Sequence, residues 1–228
     1  MTPTLCALLY LGLCLGQRIR THTDRLPKPF LRVDKGHLGP EGRSVTFRCQ
    51  GPWWTVVYRL EKDLESETIK IMDVESSGEG QFLIENVTVK DAGTYSCLYE
   101  HSSGWSEHSN PLQLLVTGLH DPPSLSALPS SQVASGQQVT LQCHSERWYE
   151  RFALYKDGEE ISYSLAQPHG REVQTNFSIQ AVTPAHGGTY RCYSFDSNKP
   201  YWWSAPSSPL VLRVKGERAP ALPVVPAS

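Results

Sequence analysis

Cysteine is the residue with the most chemistry to offer in this chain. Cys49 and Cys97 lie 48 positions apart, and Cys143 and Cys192 lie 49 apart. The other two, Cys6 and Cys14, fall in an apolar N-terminal run. Paired cysteines at such regular spacing point to disulfides and to an oxidising compartment. A closed loop of that length gives each bridge about 4 kcal/mol in the chain-entropy account. Beyond the cysteines, chemistry is sparse. The chain has no Cys-x-x-Cys, His-Glu-x-x-His, Gly-x-Ser-x-Gly or glycine-rich phosphate loop. No catalytic residue and no cofactor is expected, and the chain does not read as an enzyme. His101, Glu107 and His108 stand close together in sequence, but they read as a solvated loop rather than a metal site.

The two cysteine pairs must be held by strands. Val45, Phe47 and Cys49 alternate with polar residues, as do Val139, Leu141 and Cys143. Each second cysteine follows a tyrosine by two positions, in Gly93-Thr94-Tyr95-Ser96-Cys97 and Gly188-Thr189-Tyr190-Arg191-Cys192. Tyr-x-Cys at the start of a late strand is the tyrosine corner of an immunoglobulin sandwich, whose cysteine bridges to strand B. The chain of 228 residues is long enough for two such domains. The fold class is all-β, with two tandem C2-type immunoglobulin-like sandwiches joined by a short elbow containing Pro122 and Pro123. The expected limits are 26–117 and 122–214, with a Pro/Ala-rich stalk or tail at 215–228. The run Leu5–Gly16 is too short to span a bilayer and suits a signal-peptide core, with cleavage between Gly16 and about residue 23.

The halves repeat each other. Trp105-Ser106-Glu107-His108-Ser109 answers Trp203-Ser204-Ala205-Pro206-Ser207. Strand C of each domain carries leucine, Leu60 or Leu154, where antibody-type domains place tryptophan. Side chains alternate along a strand, so Leu60 inward puts Arg59 and Glu61 outward. The same rule requires one of Trp202 and Trp203 to face outward. Trp53-Trp54 follows strand B in a loop and is expected to be exposed. Asn86-Val87-Thr88 and Asn176-Phe177-Ser178 fit the N-glycosylation sequon, so both asparagines are expected to face water. Net charge is -2 and no long basic run exists, which excludes nucleic acid as a natural partner.

Leu26-Pro27-Lys28-Pro29, Cys49-Gln50-Gly51-Pro52, both Trp-Ser-x-x-Ser motifs and Gly188-Thr189-Tyr190-Arg191-Cys192-Tyr193 together resemble the paired immunoglobulin-like receptors of leukocytes and platelets. That family includes the leukocyte immunoglobulin-like receptors, the IgA receptor and platelet glycoprotein VI. The resemblance covers residues 1 to about 215. The platelet type shares the most segments, among them Tyr58-Arg59-Leu60-Glu61-Lys62 and Pro200-Tyr201-Trp202-Trp203-Ser204. It departs from Lys62 to Gly80.

The resemblance implies the ligand-binding region of a receptor, secreted or on the extracellular face of the plasma membrane. It implies a protein ligand, collagen first and MHC class I or another folded protein as the alternative. A secreted decoy is a third reading. A signalling adaptor is implied only if a longer form carries a membrane anchor. By motif, Arg59, Glu61 and Trp105 correspond to the collagen-gripping surface of the platelet receptor type.

Overall fold

A computed structural model describes residues 26–216, apart from 35, 65, 66 and 77. The expected leader and nearly all of the expected tail lie outside the described residues. In the first domain the strands are β1 (Phe30–Val33), β2 (Leu38–Pro40), β3 (Val45–Gln50), β4 (Val57–Leu64), β5 (Glu67–Glu75), β6 (Glu79–Ile84), β7 (Gly93–His101), β8 (Gly104–Trp105) and β9 (Leu112–Thr117). The second domain has β10 (Ser124–Leu128), β11 (Gln132–Ala134), β12 (Val139–Ser145), β13 (Arg151–Lys156), β14 (Glu159–Leu165), β15 (Gln167–His169), β16 (Glu172–Ile179), β17 (Gly188–Phe195) and β18 (Leu210–Lys215).

Each domain is two sheets packed face to face. In the first domain the orders are β1-β3-β6 and β2-β9-β7-β4-β5, with β8 added to β7. The second domain gives β10-β12-β16-β15 and β11-β18-β17-β13-β14. Alternation drives the layering. Val45, Phe47 and Cys49 of β3 turn inward, and the residues between them are half-buried on the outer face. Across the core, β4 sends in Tyr58 and Leu60, which are fully buried. Cys49 is bonded to Cys97, and Cys143 to Cys192, each with Cα atoms 6.2 Å apart. Leu60 and Leu154 stand opposite the second cysteine of their own bridge, and both are buried. Tyr95 Oη donates to the Asp91 carbonyl and Tyr190 Oη to the His186 carbonyl, each at 2.7 Å.

The domains meet through main chain as well as side chains. Val116 N–H donates to Tyr201 O at 2.9 Å, and Trp203 N–H donates to Val116 O at 2.9 Å. Leu119 N–H reaches Trp203 O at 3.2 Å, and Ala205 N–H reaches His120 O at 2.8 Å. An apolar cluster of Leu115, Tyr155, Tyr193, Phe195 and Trp203 fills the junction. His37 Nε2 sits 2.8 Å from Tyr155 Oη across it. Trp202 corrects the expectation that one of the paired tryptophans faces outward. Trp203 is in the core, and Trp202 packs half-buried against the first domain's core. Pleat alternation turns Trp202 away from its own domain, and the neighbouring domain occupies that side.

Candidate functional site

The site grows from the pleat of β4. With Tyr58 and Leu60 committed to the core, Arg59 and Glu61 project from the outer face of the six-stranded sheet. Arg59 faces Asp73 on β5. Its Nε donates to Oδ1 at 2.7 Å and its Nη2 to Oδ2 at 2.9 Å, a two-pronged pair that fixes the guanidinium plane. The hydrogen bonds from Arg59 hold the Asp73 carboxyl below the usual carboxylate range. The guanidinium carbon lies 4.3 Å from the centroid of the Trp105 ring, a cation–π contact. Glu61 Oε2 is 2.9 Å from His108 Nε2. Arg59, Glu61 and Trp105 are therefore brought onto one surface, with Asp73 and His108 as their anchors.

Trp105 is held there by its motif. β8 pairs Trp105 with Glu100 on β7. Beyond it, β7 pairs with β9 only at Gly93–Tyr95, so the upper part of β7 has no full partner strand on that side. The two serines supply one. Ser106 Oγ accepts from Tyr99 N–H at 3.1 Å, and Ser109 Oγ accepts from Cys97 N–H at 3.0 Å. Their own N–H groups donate to the Tyr99 and Cys97 carbonyls, each at 2.9 Å. Ser204 and Ser207 repeat the arrangement on Ser194 and Cys192, with side-chain bonds of 2.9 Å each. Both tryptophans thus hang on a serine-built continuation of the sheet.

The two rings then differ. Trp203 stacks on Phe195 with centroids 4.6 Å apart and is only 4% exposed. Trp105 lies over an arginine and is 37% exposed. Further aromatic side chains stand near the end of β7. Trp54 makes ring contacts with His101 at 5.0 Å and Tyr99 at 5.7 Å, and Trp53 is 85% exposed. A shallow hollow of about 320 Å³ runs between Trp54, Val56, Glu100 and His101.

His101, Glu107 and His108 are not assembled. His101 bonds Ser103, Glu107 pairs with Lys28 and His108 with Glu61. Among the described residues no cluster of three His, Cys, Asp or Glu side chains is placed to hold a metal ion. Asn86 and Asn176 are both exposed. Asp73 is a part of the site that sequence reasoning missed; its signal was Arg59 needing a carboxylate on the next strand.

Disulfide-pinned sandwiches with a preformed aromatic and charged face define an immunoglobulin-superfamily binding protein, in which one sheet face or loop end takes a ligand. The immunoglobulin domain family matches residues 28–116 and 122–194. The chain belongs to the immunoglobulin-like receptors of leukocytes and platelets, a non-enzymatic family. It is 45% identical over 216 residues to platelet glycoprotein VI of Mus musculus, covering 95% of this chain and 66% of that protein. It is 40% identical over 220 residues to natural cytotoxicity triggering receptor 1 of Rattus norvegicus, covering 95% and 66%. It is 37% identical over 221 residues to leukocyte immunoglobulin-like receptor subfamily B member 4A of Mus musculus, covering 94% and 65%. The chain therefore spans about two thirds of the length of these relatives. Among the described residues no helix is long and apolar enough to cross a membrane.

Proposed function

We propose that this chain is the extracellular ligand-binding region of a collagen receptor, and that the outer face of β4, β7 and β8 grips the triple helix. The observation that carries this reading is the Arg59 guanidinium, clamped by Asp73 and stacked under an exposed Trp105. Collagen is a rod of polyproline-type chains, rich in rings and poor in charge. A surface that takes it needs aromatic walls for proline rings and a few fixed donors and acceptors for backbone carbonyls and hydroxyl groups. Trp105, exposed over Arg59, offers such a wall. Arg59 and Glu61 offer the donor and acceptor, already oriented by Asp73 and His108. That pre-orientation lowers the ordering cost of binding. The resemblance to the platelet receptor type supports the same face.

The test is binding to immobilised Gly-Pro-Hyp peptides in triple-helical and single-chain form. The parent chain binds the triple helix and not the single chain. Arg59→Ala and Trp105→Ala each cost about 2 kcal/mol or more, the range of interface hot spots. A parent chain without affinity for the triple helix, or both variants at parental affinity, overturns the reading and turns the search to a folded ligand such as MHC class I.

A further inference from the structure

Where the two domains meet, a second concave site opens, separate from the Arg59 face. Its volume is about 370 Å³, within the range of small-ligand sites, about 300–1,000 Å³. Its floor is the outer face of β13, β14 and β17. Phe152 and Leu154 of β13 are packed in the second domain's core, so Arg151, Ala153 and Tyr155 turn outward. Ala153 and Tyr155 are covered by the junction, but Arg151 is only half-buried and lines the cavity. Arg151 stands between Phe195 on β17 and Leu165 on β14. Its guanidinium carbon lies 5.9 Å from the centroid of the exposed Tyr163 ring. Trp203, stacked on Phe195, forms an adjoining wall, and its Nε1–H donates to the Pro200 carbonyl at 2.9 Å. The first domain closes the other side with His37, Gln113 and Leu115.

Arg151 is oriented but not paired. Arg32, Arg48 and Arg59 of the first domain each meet a carboxylate. Among the described residues Arg151 meets none. Its Nε donates to Ser197 Oγ at 2.9 Å, and the neighbouring Glu150 carboxylate accepts from the Ser197 N–H at 3.0 Å instead. Both Nη groups of Arg151 are left as donors for a ligand. An arginine fork without an anion, set among aromatic rings, is suited to a carboxylate. Across the cavity, Glu160 accepts from the Tyr155 hydroxyl at 3.2 Å through one oxygen, Oε2, and keeps the other for a ligand.

We propose that this interdomain cleft binds a carboxylated sugar, the terminal acidic unit of an extracellular glycan. The Arg151 Nη groups take the carboxylate. The C–H face of the pyranose lies on the Tyr163 ring, beside Trp203, and its hydroxyls reach Glu160 and Gln113. A pyranose carries C–H groups on its faces and hydroxyls around its edge, which matches an aromatic floor ringed by polar side chains. An acidic peptide side chain offers only the carboxylate and leaves Glu160 and Gln113 unused. The cross-domain main-chain bonds of Val116 and Trp203 hold the walls in place before the ligand arrives, which lowers the ordering cost of binding.

The test is a ligand-observed NMR titration of the full secreted chain. The probes are the α-methyl glycoside of N-acetylneuraminic acid, methyl β-glucuronide, the methyl ester of each, and N-acetylglutamic acid α-amide as the acidic peptide group. One or both sugar acids bind, and the matching ester binds about tenfold more weakly or not at all, as loss of a charge-assisted pair requires. Arg151→Gln shows the same loss for the acid, and Tyr163→Ala weakens binding without touching the charge. The preferred acid names the terminal sugar. A parent chain without affinity for either acid, an ester that binds as tightly as its acid, either variant at parental affinity, or the glutamic acid derivative binding as tightly as the sugars each overturns the proposal. The comparison of acid with ester uses only the parent chain, so it stands even where a variant fails to fold.

Discussion

Trp105 and Trp203 occupy the same place in the repeat, yet one belongs to a surface and the other to a core. The difference lies in their neighbours, Arg59 on β4 and Phe195 on β17. The offset between the halves made the repeat legible. It did not say which side chain would lie beneath each ring, because that depends on strand pairing between distant residues. The serines of the motif were legible as a pattern but not as a mechanism. Ser207 Oγ satisfies the buried Cys192 N–H. Ser207→Ala removes that acceptor and leaves a buried donor unpaired, at a cost of about 1–3 kcal/mol; calorimetric melting of the parent and variant measures it. Asp73 gives a second prediction. Arg59 depresses its folded-state pKa, so the pair's contribution is present above the ordinary aspartate range and fades as pH falls through the lowered value. In Arg59→Ala the Asp73 carboxyl titrates at higher pH than in the parent, and carbon-detected NMR of that carboxyl reads the shift. An unmoved titration would count against the Arg59–Asp73 contact as the cause.

Among the elements, β3, β7, β12 and β17 were legible because each carries a cysteine set in a period-two pattern or behind a tyrosine corner. β5 was not. Its segment falls where the family resemblance fails and has no cysteine or tryptophan to anchor a register, yet its backbone pairs with β4 from Val57 to Leu64. Asp73, the partner of Arg59, was hidden with it. The turns before the two tyrosine corners show one solution built from different residues. Asp91 Oδ2 accepts from the Thr88 N–H at 2.9 Å, and His186 Nδ1 accepts from the Thr183 N–H at 2.9 Å. Imidazole accepts at Nδ1 only when that nitrogen carries no proton. His186→Ala removes that acceptor and costs about 1 kcal/mol, the usual worth of an N-terminal cap; thermal melting of parent and variant checks it, and an unchanged melting temperature would refute it.

At the scale of the whole molecule, Pro122 and Pro123 suggested a stiff elbow. The structure adds restraints that begin earlier and that local sequence does not reveal. They are the main-chain bonds of Val116, Leu119 and His120 to the Tyr201–Ala205 segment and the apolar junction around Trp203. Trp203→Ala removes the Phe195 stack and hollows that junction. It costs about 3–5 kcal/mol, the range for a buried aromatic truncated to alanine, and it widens the interdomain distance distribution seen by small-angle scattering. A variant with the parent's scattering profile and melting temperature would show that the junction does not depend on this ring.

The joined main chain also settles how the molecule bears a pull. In the proposed role, a ligand held by the first domain and a load applied at the far end of β18 pull the chain along β9 and through the elbow. Near each exit the terminal strand runs parallel to a short partner, β2 beside β9 at Leu38–Pro40 and β11 beside β18 at Gln132–Ala134. Tension drawn through opposite ends of parallel neighbours shears them, so their hydrogen bonds share the load and must fail together. Behind them the Cys49–Cys97 and Cys143–Cys192 bridges limit how far either sandwich can be drawn out. In that role the two domains form a short strut that passes tension on with little change of length.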